Sequence, residues 1–126
     1  MSIIIDMTKG VNKEEIARLP EKMLEYAFEA LMQQAELMKG LAQVYVRVDT
    51  GSLRDSIRVE RGGEREGWRR IRVRAGGYIV NPKSGQLVNY AIHVEAKYPY
   101  MRPAYEEIRP TIAGMIKAKV VERINQ

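Results

Sequence analysis

The sequence predicts an α+β domain in which a long N-terminal helix and a C-terminal helix pack on a mainly antiparallel sheet of about four strands. Three observations predict it. Apolar residues recur at alternating steps of four and three from Leu24 to Tyr45, which is a helical period. Between Ile57 and Ala75 the apolar period falls to two on either side of a glycine-flanked polar loop, the mark of a hairpin. From Ile108 to Ile124 an isoleucine or valine stands at every fourth position, and the period is helical again.

The elements follow in order. Ile3-Ile4-Ile5 is β-branched and short, an edge strand ending before Thr8-Lys9-Gly10. Asn12 offers an N-cap with Glu15 at capping-box spacing, and Pro20 suits the first turn of a longer helix. The stripe Leu24, Phe28, Leu31, Ala35, Met38, Ala42 and Tyr45 spans about six turns at ~3.6 residues per turn. A second row (Met23, Ala27, Ala30, Leu37, Leu41, Val44) predicts a helix covered on more than one side. Ile57 and Val59 then alternate with Arg58 and Glu60, and Ile71, Val73 and Ala75 with Arg70, Arg72 and Arg74. One face of this hairpin is apolar and the other carries arginine. Tyr78-Ile79-Val80 and Leu87 to Val94 read as two further strands, joined by the turn formers Asn81 to Gln86. Pro99 and Pro103 bracket a rigid connection into the closing helix, where Pro110 must sit in the first turns or make a kink.

A chain of 126 residues has room for one core. The expectation is a single domain, with 1–19 a strand and short-helix arm and 20–126 the helix–sheet–helix core. At 45% apolar and 29% charged residues the composition is that of a folded protein. No apolar run approaches the ~20 residues of a spanning helix, and the N-terminus lacks a signal-peptide pattern. With no cysteine there is no disulfide, thiol chemistry or cysteine-ligated metal. A soluble intracellular protein without membrane contact fits these features. The net charge of +5 is concentrated: Leu53 to Arg74 holds eight arginines against four acids. Such a patch suits nucleic acid, an acidic protein surface or the acidic face of a second copy.

The enzyme readings are poor. Asp49-Thr50-Gly51-Ser52 reads like the catalytic loop of a retroviral-type aspartic protease, in which each of two subunits lends one carboxylate. That loop must leave a strand, whereas Asp49 follows the long helical stripe. The supporting apolar-apolar-Gly segment, Ile112-Ala113-Gly114, falls in the closing helix. Asp49 has simpler work as the N-cap of a short helix Thr50 to Asp55, with Thr50 the other candidate cap. His93-Val94-Glu95 lacks the Cys-x-x-Cys of a zinc deaminase. The pairs Gly62-Gly63 and Gly76-Gly77 lack the Lys-Ser/Thr of a phosphate loop. No nucleophile, base and orienting group come together, so no catalytic residue, cofactor or metal is expected.

Three segments taken together carry a resemblance. Val48-Asp49-Thr50-Gly51-Ser52-Leu53-Arg54-Asp55-Ser56-Ile57, then Asn89-Tyr90-Ala91-Ile92-His93-Val94-Glu95, then Pro99-Tyr100-Met101-Arg102-Pro103-Ala104 stand in the order seen in a family of small neck proteins of tailed bacteriophages. The chain resembles this tail-component family, which covers tail completion (terminator) and head–tail joining proteins, over about residues 20 to 125. One departure stands out: the family usually continues Val-Glu with Phe-Gly-Thr and a longer loop, where this chain has Ala96-Lys97-Tyr98 and turns into Pro99.

The resemblance implies a structural virion protein, not an enzyme. It would be assembled in the host cytoplasm and form a ring, commonly a hexamer, between the head connector and the tail tube. Its partners would be further copies and other neck and tail-tube proteins, with transient contact to DNA passing through the channel. Arg58, Arg70, Arg72 and Arg74 are the expected interface, with Lys97, Tyr98 and Tyr100 of the divergent loop. The acids Glu14, Glu15, Glu21, Glu25, Glu29 and Glu36 would supply the opposite charge. Asp49, Thr50, Gly51, Leu53, Arg54, Tyr90, Glu95, Arg102 and Pro103 form the structural motif. Within it, Asp49 and Arg54 would hold the helix-to-strand corner, and Arg102 and Pro103 the entry to the closing helix. The reading from another class is a small basic nucleic-acid-binding domain using the arginine hairpin as a β-ribbon. It has only Trp68 there for stacking on single strands. Asp49→Asn is expected to leave function nearly whole in a phage-assembly assay, because asparagine caps about as well as aspartate. A folded but inactive variant would revive the protease reading.

Overall fold

The computed structural model of the chain describes residues 2–10, 14, 16, 18–46, 52–62, 70–76 and 91–125. Strand β1 (Ser2–Asp6) runs into a 3-10 turn, Met7–Gly10, and is followed by helix α1 (Glu21–Tyr45). A short helix α2 (Ser52–Ser56) leads to the hairpin β2 (Arg58–Arg61) and β3 (Ile71–Gly76). Helices α3 (Ala91–Lys97) and α4 (Met101–Ile108), a 3-10 turn Arg109–Thr111 and helix α5 (Ile112–Ile124) complete the order. This is the α+β arrangement the sequence predicts, with three described strands, fewer than the expected four.

The sheet is antiparallel throughout, in the order β1-β3-β2. Ile3 lies opposite Ala75 and Ile5 opposite Val73, while Val59 pairs with Val73 from the other edge. These residues share one face, because successive side chains of a strand point to opposite sides. Ile71, Val73 and Ala75 are fully buried there. Against this face pack Phe28, Leu31, Ala35, Met38 and Ala42 of α1 and Met101, Ala104 and Ile112 of the closing helices, all buried in the same core. Each such large side chain contributes about 1.5–3 kcal/mol relative to an exposed one. Segment 1–19, read as an arm, supplies β1 and the wholly buried Met7 to this core.

α1 begins directly after Pro20, whose carbonyl accepts the Leu24 amide at 2.9 Å. Its first apolar row is buried from Phe28 to Ala42, with Leu24 and Tyr45 partly buried at its ends. The second is covered only in part, since Ala27 and Ala30 are buried whereas Leu37 is 55% and Val44 77% exposed. The closing helix explains the difference. Thr111, at its entry, lies 3.1 Å from the buried side-chain carbonyl of Gln34, and Glu29 receives Arg123 at 2.8 Å and Lys119 at 3.5 Å. α5 thus runs antiparallel to α1 from Gln34 back towards its N-terminus. Among the described residues nothing covers Leu37 and Val44. The closing helix itself is two helices, broken at the 3-10 turn that contains Pro110, as a proline inside a helix requires.

Ala91 to Val94, expected as the end of a strand, belong instead to α3. A short apolar run does not distinguish a strand from a helix, and here Glu95 decides. From its place in α3, its Oε1 accepts the amides of Tyr100 (3.0 Å) and Met101 (2.8 Å), and Oε2 that of Arg102 (3.2 Å). One carboxylate so satisfies three amides at the N-terminus of α4, where the helix leaves its donors unpaired and favours negative charge. Pro103, third in α4, has no amide to satisfy and costs nothing there. The expected strand at Tyr78–Val80, the remainder of Leu87–Val94, Asn12 and Glu15 lie outside the described residues. Glu95→Ala is expected to lower stability by about 2 kcal/mol, read as a fall in the urea midpoint, with Glu95→Gln losing less.

Candidate functional site

The sheet's second face is the candidate site. Arg74 lies between Ile4 and Arg58 in cross-strand register, and Arg72 between Asp6 and Glu60. Arg70 continues the row, its carbonyl accepting the amide of Gly62 on the opposite strand. The four arginines expected at an interface are therefore together on one face, with two acids among them.

They do different work. Arg58 Nη1 donates to the carbonyl of Ser56 at 2.8 Å and of Gly76 at 3.0 Å, and Nε lies 3.4 Å from Glu60. Arg74 Nε donates to the other Glu60 oxygen at 2.6 Å. Glu60 is thus held by two arginines, and Arg58 ties the start of β2 to the end of β3. Arg70 is exposed and Arg72 half-buried, and among the described residues neither forms an ion pair. Arg72 Nε is buried without an acceptor. Asp6, beside Arg72 in the register, turns its Oδ1 to the amide and hydroxyl of Thr8 instead. Gly62 leaves the space: a Cβ there would meet Arg70 Cβ at 2.7 Å and Arg72 Nη2 at 3.4 Å.

Other expected residues fall elsewhere. Lys97, the last residue of α3, and Tyr98 just after it are exposed, with Lys97 Nζ 5.8 Å from the Tyr98 ring centre. Tyr100, also expected at the interface, is packed inside the domain. Its side chain is wholly buried and its hydroxyl donates to the Ala91 carbonyl at 3.2 Å, so it fastens α3 to the entry of α4. Leu53 is wholly buried in the core. Among the described residues the exposed Arg54 side chain reaches Asp55 at 3.5 Å. The corner is held by Ser56: its hydroxyl donates to the Leu53 carbonyl at 2.6 Å and accepts the Gly76 amide at 2.8 Å. Gly76 has φ 79°, a left-handed conformation that glycine adopts without strain. Serine in the motif Leu53-Arg54-Asp55-Ser56 was the visible signal for this role. At α4, Arg102 contributes its backbone amide, its side chain being exposed. Asp49, Thr50, Gly51 and Tyr90 lie outside the described residues, as does Glu15.

The acids divide as the arginines do. Glu29 is engaged by α5, and Glu36 reaches Lys39 at 3.9 Å. Glu14, Glu21 and Glu25 are exposed with no ion pair among the described residues. No cluster of acids and histidines able to hold a metal ion occurs among the described residues, and no helix there is long and apolar enough to cross a membrane. Comparison with protein families, with curated proteins and with solved structures gives no match.

Glu29 also sets a pH dependence. Partial desolvation raises its pKa, but attraction to Arg123 and Lys119, with their hydrogen bonds, outweighs this and leaves it below the ordinary 4.5. A depressed carboxylate contributes stability above its unfolded pKa and loses it as the pH falls through the folded value. Between about pH 6 and about pH 3, Glu29→Gln is therefore expected to flatten the fall in melting temperature relative to the wild type.

Proposed function

We propose that this chain is a structural subunit of a tailed-phage neck, a tail completion or head–tail joining protein that works as a ring of copies. The observation that carries the reading is the sheet's outer face. Among the described residues the helices cover the sheet on one side, and an antiparallel sheet can leave its other side to water. Here that side bears Arg58, Arg70, Arg72 and Arg74, two of them without a partner acid among the described residues. The motif segments that carry the family resemblance also sit at joints of the fold. Ser56 closes the corner between α2 and the hairpin, Glu95 caps α4, and Tyr100 links α3 to α4. A ring needs a subunit whose shape is fixed at such joints, since an error in each subunit is repeated round the circle.

The protease reading gains nothing from the elements around its motif. α1 precedes Asp49, and Ile112-Ala113-Gly114 begins α5. The nucleic-acid reading keeps the arginine face, but Asp6 and Glu60 stand within it and would repel a track of phosphates.

Mass in solution, by light scattering or native mass spectrometry over a range of protein and salt concentrations, tests the proposal. The expected result is a discrete ring-sized species, whose symmetry negative-stain images would give. A chain that remains monomeric at every concentration, or a dimer that cleaves peptides at acid pH, would overturn it.

A further inference from the structure

Two helix faces turn apolar side chains to solvent. On α1 the face runs Leu37, Gly40, Leu41 and Val44, at helical spacing along one side. Leu37 and Val44 are exposed and Leu41 is partly covered. α5 covers α1 only from Gln34 back past Glu29, so this cover stops short of Leu37. On α5 itself Ile112 and Ile116 point inward, and Lys119 and Arg123 reach across to Glu29 of α1. That leaves Gly114, Ala118 and Val121 in an exposed outward row, with the half-exposed Met115 on one flank and Lys117 on the other. A surface helix ordinarily shows its polar side to water. Here two of the charges of α5 are used against α1, and the outward row is uncharged.

Each face contains a glycine, Gly40 and Gly114, at which a Cβ would meet nothing within 4 Å. Glycine within a helix is unfavourable relative to alanine, and nothing inside the chain asks for either one. What a missing side chain permits is the close approach of a second helix, because side chains at the contact set the distance between packed helix axes. The outward row of α5 is turned away from its own α1, so one chain cannot bring the two faces together.

We infer that the outward row of α5 docks antiparallel on the C-terminal half of α1 of a second copy of this chain, with Gly114 against Gly40. Counting away from the glycine pair, Ala118 then comes to Leu37 and Met115 to Leu41, so that a small side chain meets a large one at the first of these. At one rim Lys117 meets Glu36. Both are exposed; Glu36 reaches Lys39 at 3.9 Å, and Lys117 forms no ion pair among the described residues. A parallel pairing would instead carry Glu36 to the rim of Glu122, like charge to like. The inference deepens the proposed ring and rests on that reading. α5 is antiparallel to α1 within one chain as well, so two copies joined in this way share a direction. Different surfaces of like-oriented copies make a heterologous contact, which closes into a ring or grows into a filament.

The chain has no cysteine, so introduced thiols report the contact directly. Full-length Gly40→Cys and Gly114→Cys, one of them isotope-labelled, are mixed under mild oxidation and the disulfide-linked pairs are weighed. Mixed pairs are expected to form about tenfold faster than like pairs, because only the mixed thiols come within bridging distance. Gly40→Leu fills the crossing point without touching its own chain. It is expected to melt no lower than the wild type and to self-associate about tenfold more weakly or worse. Like pairs of Gly40→Cys in excess would mean that two α1 faces meet, and overturn the pairing. Mixed pairs no faster than like pairs, with Gly40→Leu associating as the wild type does, overturn this contact and leave the ring standing. A wild type that is monomeric at every concentration overturns both.

Discussion

The pleat of β3 governs this domain. β3 is bonded to a strand on each edge, and its side chains go alternately to the two faces. Ile71, Val73 and Ala75 therefore meet the helices, while Arg72 and Arg74, with Arg70 just before them, go to the other side. A slip of one residue would exchange the sets and put guanidinium groups into the core, at several kcal/mol for each unpaired charge. The core and the arginine face are one choice made twice along a single strand. Whatever that face binds, its arginines cannot be rearranged without unfolding the sheet.

Two polar knots hold the elements in place around that strand. At the first, Ser56 and Arg58 take hold of Gly76 from opposite directions: the serine accepts its amide and the arginine donates to its carbonyl. This fixes the hairpin at the end away from its loop and fixes the angle at which α2 enters it. At the second, Glu95 gathers the first amides of α4 while Tyr100 reaches back to Ala91. Each knot takes in one residue expected at an interface, Arg58 in the first and Tyr100 in the second. Both use residues from the segments that carry the family resemblance, so those segments mark joints of the fold.

The sequence made the long amphipathic elements legible because their periods persist. The stripe from Leu24 to Tyr45 and the alternation from Ile71 to Arg74 each leave little choice of face. Ala91 to Val94 was misread for the opposite reason. Its apolar run is too short to show a period, and the deciding contact, Glu95 with amides five to seven residues later, is tertiary. Tyr100 stood in an aromatic segment of a kind often placed at interfaces, yet its burial follows from α3 being a helix. The arginine face was visible as a face. Its division into Arg58 and Arg74, which are consumed internally, and Arg70 and Arg72, which are not, depends on where Glu60 and Asp6 sit in the register. Pairing across strands cannot be counted from composition.

That division bears on how such a face works in the proposed ring. An exposed ion pair contributes about 0–1 kcal/mol, and two such pairs fall well short of the ~4–15 kcal/mol that association costs in lost motion. Charge alone does not hold two copies together. It does select which surfaces meet and in what direction, because like charges brought together are penalised while opposite ones speed the encounter. The bulk of the binding must come from area buried alongside and from closure, since the last contact of a ring joins subunits that are already tethered. The unpaired arginines are thus better understood as setting polarity than as supplying strength.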